Sequence, residues 1–537
     1  MPTINLNKSV FEKLVGKKLP LEELKEKIFY LGTDLESIEG NNITVEIFPN
    51  RPDMLSEQGF ARAFSSFIGI KTGLREYELK KSPHRVKVDN SVKDIRPYTA
   101  CAIIKNLSFN DEKIKEIIQI QEKLHVTFGR NRKKAAIGIY PFEKITPPIY
   151  YKAMFPKEII FRPLDSEKEM TAVEILKNHP AGKEYAHLLE NKEKYPVFID
   201  SKNKILSMPP IINSHEVGKI TEKTKDIFIE CSGFDLNTLK ILLNIIVTAL
   251  SDMGGEVYSM ELFYEDKKII TPDLAPSKIS LEIEYVNKIL GLELKETEIK
   301  NLLEKMGYSY KNKHALVPSY RSDILHQIDL VEDIAIAYGY NNFSHEMPNV
   351  STIGSETNFE SFKRKIKEAL IGFGLLEASS FIIVSNESLK KANLEANSIK
   401  IKNPRNKEFD TLRSSLIPSI MQIFSENQHN EFPQKLFEIN TVFDYDKEKT
   451  NLIIAIAHDK ANFTEIKQIL DSFLFLFRIS YILKPIKNST FIEGRAGEII
   501  TKEPIGIIGE INPEVLTNFN ISNPIALLEI DLKLFLR

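Results

Sequence analysis

The chain is poor in cysteine. Its two, Cys101 and Cys231, stand more than a hundred residues apart. That spacing is neither a disulfide framework nor a zinc pattern, and it fits a reducing compartment. It also has little net charge: 72 basic residues against 74 acidic ones leave −2. A chain-wide electrostatic grip on nucleic acid is thereby excluded, and any RNA contact must be local. Long apolar runs are missing too. The stretch 241–250 is broken by Asn244 and 473–483 by Arg478, both short of the roughly 20 residues of a membrane span. The start, Met1-Pro2-Thr3-Ile4-Asn5, has no basic or apolar leader region, so no secretory signal is expected. No G-x-S-x-G elbow and no phosphate-cradling P-loop occur. These absences point to a soluble cytoplasmic protein.

What is present suffices for several cores. The 537 residues are 42% hydrophobic and 27% charged, which suggests about three or four domains. Short β-like runs alternate with amphipathic helices, so the fold class is α+β and multidomain. Proline-bearing junctions near Lys81-Ser82-Pro83, 272–276 and 348–354 are the boundary candidates.

A duplication is visible. Residues 14–32 and 289–307 each carry an apolar helical stripe between glycines, Gly16/Gly32 in one and Gly291/Gly307 in the other. Each copy continues to an Arg-x-Asp segment, Arg51-Pro52-Asp53 or Arg321-Ser322-Asp323, and then to a helix rich in small residues. Matching all three in order is far harder by chance than matching one helix. The reading is two related small domains, residues 1–80 and 270–345. Residues 90–265 form a separate unit with a long helix from Leu236, capped by Asp235 and stopped by Gly254-Gly255. Residues 350–537 open with a helix over 359–373, followed by strands at 379–384, 435–439, 452–458 and 504–511. An antiparallel sheet with flanking helices is expected there.

The sharpest chemical signal lies in the second copy. Asp329, Glu332 and Asp333 share one helix face at i+3 and i+4, with Asp323 just upstream. Like charges so placed call for a compensating cation, and a hard ion such as Mg²⁺ accepts oxygen ligands. The alternative is that acids in a first helical turn complement the helix dipole. In the first copy, Gly59, Arg62 and Ala63 stand where 329, 332 and 333 stand in the second, so the fold itself does not require the acids.

Six separated segments resemble one family. They are 48–56 (Phe-Pro-Asn-Arg-Pro-Asp-Met-Leu-Ser), 121–134 with Gly129-Arg130-Asn131-Arg132, 207–213 (Ser-Met-Pro-Pro-Ile-Ile-Asn), 320–324, 331–340 and 509–514. In order and spacing they are similar to the β chains of phenylalanine–tRNA ligase, archaeal type. The resemblance implies an α2β2 ligase that joins phenylalanine to tRNA(Phe) using ATP, with the aminoacylation site on the α chain. Residues 1–80 and 270–345 then correspond to B1- and B5-like domains, and 90–265 to a B3/B4-like editing domain. Residues 350–537 correspond to a class II synthetase-like domain without catalytic motifs. It implies a Mg²⁺ site shared with the α chain on Asp323, Asp329, Glu332 and Asp333. No arginine stands two residues before Glu438, where a class II ATP site would need a fork for phosphate.

The same resemblance implies that the middle unit hydrolyses tyrosine wrongly joined to tRNA(Phe). A hydrophobic pocket rejects one extra hydroxyl only about 100-fold, so a second site must read that hydroxyl by hydrogen bonds. Editing residues carry over to Ser207, Glu230 and Ser232, with His125 as a further candidate. The family has Asp and Thr where this chain has Glu230 and Ser232, and the longer carboxylate moves the charge by about 1.5 Å. For the serines, turn and cap duty is the alternative. For His125 it is a satisfied structural histidine. The run Arg130, Arg132, Lys133, Lys134 is either a guide for the tRNA 3′ end or a solvated loop. The competing functions are a stand-alone tRNA-binding or trans-editing protein that never meets an α chain, and a scaffold with inactive editing.

Overall fold

Strands buried on both faces read as unbroken apolar runs, and two such strands organise this protein. The computed structural model describes residues 2–349, 352–394, 398–445 and 447–532. Part of the expected junction 348–354, residues 350 and 351, lies outside them. The chain forms two compact units, one up to residue 346 and one from 347 onward.

In the first unit both small modules use the same elements. Strand Thr3–Asn7 is followed by helices Lys8–Val15 and Leu21–Tyr30, then strands Asp34–Glu39 and Asn42–Glu46, then helix Glu57–Phe67. The second module repeats this with Ser277–Ser280, Ile283–Leu290, Glu296–Lys305, Ser309–Lys311, His314–Val317 and Gln327–Tyr338. Each three-stranded sheet has the third strand in the middle. The glycines that the duplication aligns all sit in the left-handed region: Gly16 (φ +88), Gly32 (+87), Gly291 (+67) and Gly307 (+84). Gly16 and Gly291 each end a helix there, where a β-carbon is costly.

The modules also touch each other. Ser66 Oγ and the Gly73 amide donate to the Glu304 carbonyl at 3.0 and 2.7 Å, and Asn341 donates to the Tyr30 hydroxyl. A β-carbon on Gly32 would lie 3.8 Å from Ile336, and one on Gly307 would lie 4.0 Å from Ser66. Position 32 aligns with 307, and 66 with 336. The contact is therefore reciprocal, as across a two-fold axis.

Between them runs a ten-stranded mixed sheet from Leu79–Val88 to Lys268–Thr271. Leu79–Val88, in the stretch read from sequence as a junction, lies inside this sheet, parallel to both of its neighbours. In strand Tyr98–Lys105, Ala100, Ala102 and Ile104 face one core while Cys101 and Ile103 face another. Helix Leu236–Asp252 covers the first face, and the Asp235 side chain accepts from the Thr238 amide at 2.7 Å. Helix Asp111–Val126 flanks the edge strand Ala135–Pro141.

The second unit is a seven-stranded sheet between two helical layers. In strand Lys447–Ala457, Leu452, Ile454 and Ile456 meet helices Asn358–Gly372 and Phe463–Leu476. Ile453, Ala455 and Ala457 meet helix Ile417–Glu426. Its outermost strands are Leu376–Glu377 on one side and Ile482–Pro485 on the other. The strand expected over 379–384 is reduced to Ile383–Val384, in a separate small sheet. Ser380 instead donates through its amide and hydroxyl to Glu438, at 3.0 and 2.8 Å.

Because Gly16 and Gly291 do equivalent work, Gly16→Ala and Gly291→Ala should each cost about 1–2 kcal/mol locally. Amide exchange in Lys8–Val15 and Ile283–Leu290 should quicken by roughly tenfold or more, whereas Asn at either place should cost less.

Candidate functional site

A cavity of about 510 Å³ opens where helix Asp111–Val126 meets the edge of the large sheet. The apolar part of its wall is largely isoleucine, including Ile114, Ile117, Ile137, Ile139 and Ile211. Among the polar side chains of the lining, two are almost wholly buried and incompletely bonded. Ser207, from strand Ile205–Met208, is 1% exposed, and its hydroxyl has no partner. Glu230, from strand Ile227–Gly233, is 2% exposed, and its Oε2 has none either. Both line the cavity, and an unpaired buried polar atom is costly unless a guest completes it.

Glu230 reaches the cavity because of what lies beside it. Gly138 is its register partner on the neighbouring strand. A β-carbon there would come within 2.0 Å of the Tyr140 hydroxyl and 2.6 Å of Glu230 Oε1. The glycine leaves room for Tyr140 to donate to Glu230 Oε1 at 3.1 Å. Asn213 Oδ1 stands 3.3 Å from the same hydroxyl and also lines the cavity. Burial pushes the Glu230 carboxyl up to about 8, against the opposing pull of Tyr140 and Arg96. With no guest, the neutral acid predominates at pH 7.

The other residues singled out from sequence divide. Ser232 is buried but is not part of the cavity wall; its hydroxyl accepts from Arg96 Nε at 3.2 Å. His125 lines the cavity, yet both ring nitrogens are occupied. Nε2 accepts from the Ile137 amide at 2.8 Å and Nδ1 faces Glu122 at 3.4 Å, while burial holds the ring neutral. Arg132 also lines the wall, donating to the Ile211 carbonyl at 2.9 Å and to Glu122 at 3.2 Å, with Tyr185 beneath it at 4.3 Å. Arg130, Lys133 and Lys134 stay exposed on a turn in which 130, 131 and 132 all have positive φ. Sequence reasoning missed Gly138, Tyr140 and Asn213. Asn213 closes a quoted motif, but the other two offered no local signal.

The four acids of the second small module have separate partners. Arg321 donates through Nε and Nη2 to the two oxygens of Asp323, each at 2.8 Å, and through Nη2 to Asp333, also at 2.8 Å. Tyr308 adds a bond to Asp333. Asp329 accepts the amides of Leu325 and His326 at 2.8 Å, closing the start of helix Gln327–Tyr338. This is the helix-start duty noted as the alternative. Glu332 accepts from the Tyr340 hydroxyl at 2.7 Å. Among the described residues no three such groups converge as a metal site. The oxygen chemistry suits a hard cation, but the arrangement in this chain alone does not fit one.

In the second unit Arg413 is fully buried. Its nitrogens are engaged by the Thr441 carbonyl, Ser380, Ser419 and Glu438. Lys435 pairs with Glu465 at 3.0 Å. Neither is open to clamp a phosphate. No helix among the described residues is long and apolar enough to cross a membrane.

The family model described as tRNA synthetase B5 domain matches residues 279–340. That described as Phenylalanyl tRNA synthetase beta chain CLM domain matches 344–532. The phenylalanine–tRNA ligase beta subunit of Thermococcus sibiricus is 40% identical over 100% of this chain and 99% of its own. That of Pyrococcus abyssi is 40% identical over 99% of each, and that of Archaeoglobus fulgidus 36% over 100% and 99%. A crystal structure of an N-terminal fragment of the Pyrococcus horikoshii phenylalanyl-tRNA synthetase beta subunit aligns with a TM-score of 0.61 and 42% identity. It covers 63% of this chain and 99% of the fragment.

The Glu230 carboxyl sets a stability test. With its value raised from 4.5 to about 8, the folded chain holds a proton the unfolded chain has lost anywhere between those limits. Stability from this group is full below the lower limit, falls as pH rises, and levels off above the upper one. The thermal midpoint of wild type relative to Glu230→Gln should therefore drop from pH 5 to pH 8 and then stay flat.

Proposed function

Because the chain belongs to the phenylalanine–tRNA ligase beta-subunit family, we propose that it supports ATP-dependent attachment of phenylalanine to tRNA(Phe) by a cytoplasmic α chain. In addition, we propose that it hydrolyses tyrosyl-tRNA(Phe) in its own cavity. The observation that carries the editing reading is the pair of orphaned buried oxygens, Ser207 Oγ and Glu230 Oε2, in a hollow whose apolar wall is mostly isoleucine and where Arg132 Nε is a further unpaired donor. A phenyl ring fits among the isoleucines, and a phenolic hydroxyl meets both atoms. Phenylalanine would leave them unpaired, and sites built this way discriminate by about 10⁴–10⁵. The ester points to the mouth, where water reaches it. Exposed Arg130, Lys133 and Lys134 attract the tRNA backbone there, and Arg132 shapes the wall. Hydrolysis releases tyrosine and free tRNA. His125 and Ser232 hold the framework: one fixes the strand beside the cavity, the other anchors Arg96.

Adenylate chemistry belongs to the partner, since Arg413 has no free fork for phosphate. We assign Asp323, Asp329, Glu332 and Asp333 to the face where the α chain completes a Mg²⁺ shell, because this chain does not close one alone. A stand-alone editing protein would have no use for the second unit.

The assembled complex should deacylate tyrosyl-tRNA(Phe). Ser207→Ala and Glu230→Ala should each slow that by about 10- to 100-fold, with phenylalanine charging unchanged. Wild-type deacylation by both variants would remove the editing reading. Calorimetry should show Mg²⁺ binding by the complex and none by the isolated chain, and Glu332→Gln should weaken the former. Adenylate formed by this chain alone would overturn the division of labour.

A further inference from the structure

Where the two small modules meet, a second and much smaller cavity, about 10 Å³, lies among Arg51, Arg62, Arg75 and Arg321, with Asp53 the one acid in its wall. Two guanidiniums are incomplete there. Arg62 is 7% exposed: Nη1 donates to Tyr77 at 2.8 Å and Asp252 at 2.7 Å, and Tyr320 lies 4.0 Å beneath. Its Nη2 has no partner. Arg321 is 6% exposed and bonds Asp323 and Asp333 through Nε and Nη2, yet its Nη1 is also without a partner.

The chemistry of the missing guest follows. Both orphans are donors, so the guest must accept. Asp53 already receives Arg51 Nε and Nη2, at 2.9 and 2.8 Å, and no buried side-chain acceptor in this wall is without a partner. The space admits one atom-sized guest, which excludes phosphate, sulfate and carboxylates. We propose that this cavity binds a single monatomic anion of the halide class, held by Arg62 of the first module and Arg321 of the second. The ion bridges the two repeats at their reciprocal contact, and its occupancy is linked to the stability of the junction.

The test uses the full chain. Crystals grown in sodium bromide should give an anomalous peak between Arg62 Nη2 and Arg321 Nη1. In solution, replacing sodium gluconate by sodium chloride or bromide at equal ionic strength should raise the thermal midpoint by about 2 °C. Arg62→Lys keeps the charge beside Asp252 but loses the fork, and should abolish that halide dependence. Should that variant fail to fold, the bromide map of the wild type still decides. Water density without anomalous signal at this point, or equal midpoints in gluconate and halide, overturns the assignment.

Discussion

A guanidinium taken out of water must find carboxylates, and the first unit is arranged around one that found two. Arg321 binds Asp323 and Asp333 at once. Leaving such a charge unpaired in the interior would cost several kcal/mol. In the first module Arg51 clasps Asp53 with the same two-pronged geometry. In the second unit Arg413 lies wholly buried against Glu438. Each pair fixes how a loop meets a helix or sheet, because a planar fork tolerates few orientations. Asp323 and Asp333 of the second module thus share one guanidinium, while Asp329 and Glu332 are met by amides and a hydroxyl.

The large cavity inverts this arrangement. There a carboxyl is buried with no arginine in contact, so it keeps its proton and stays available. A carboxyl group is thus an ion-pair partner of arginine at Asp53 and a neutral hydrogen-bonding group at Glu230. Environment alone separates them.

Much of the architecture was legible because it is local or periodic. The helix from Leu236 announced itself by Asp235 and Gly254-Gly255 and lies where expected, over Leu236–Asp252. The duplication was readable because left-handed backbone at Gly16, Gly32, Gly291 and Gly307 admits few other residues. Ser207 and Glu230 were legible only through family resemblance. Gly138 was not, since its importance arises from a register across strands about 90 residues apart in sequence, and no window contains both. The acids were visible as charges at helical spacing, but Arg321's second bond, to Asp333, was not. Strand Leu79–Val88 was mistaken for a junction because Pro83 reads as a breaker, although a strand tolerates proline where no ladder bond is needed.

The margins of the second unit's sheet carry a consequence for the chain before it meets any partner. One border is only the dipeptide Leu376–Glu377, and the other, Ile482–Pro485, ends in a proline beside Lys484. Apolar Leu376 and Ile482 are exposed there, at 69% and 65%. A short border offers little template, and a proline with an adjacent lysine frustrates a newcomer's backbone ladder. A freshly made copy can therefore wait, sticky in side chains yet unwelcoming in main chain, without zipping into fibrils with its siblings.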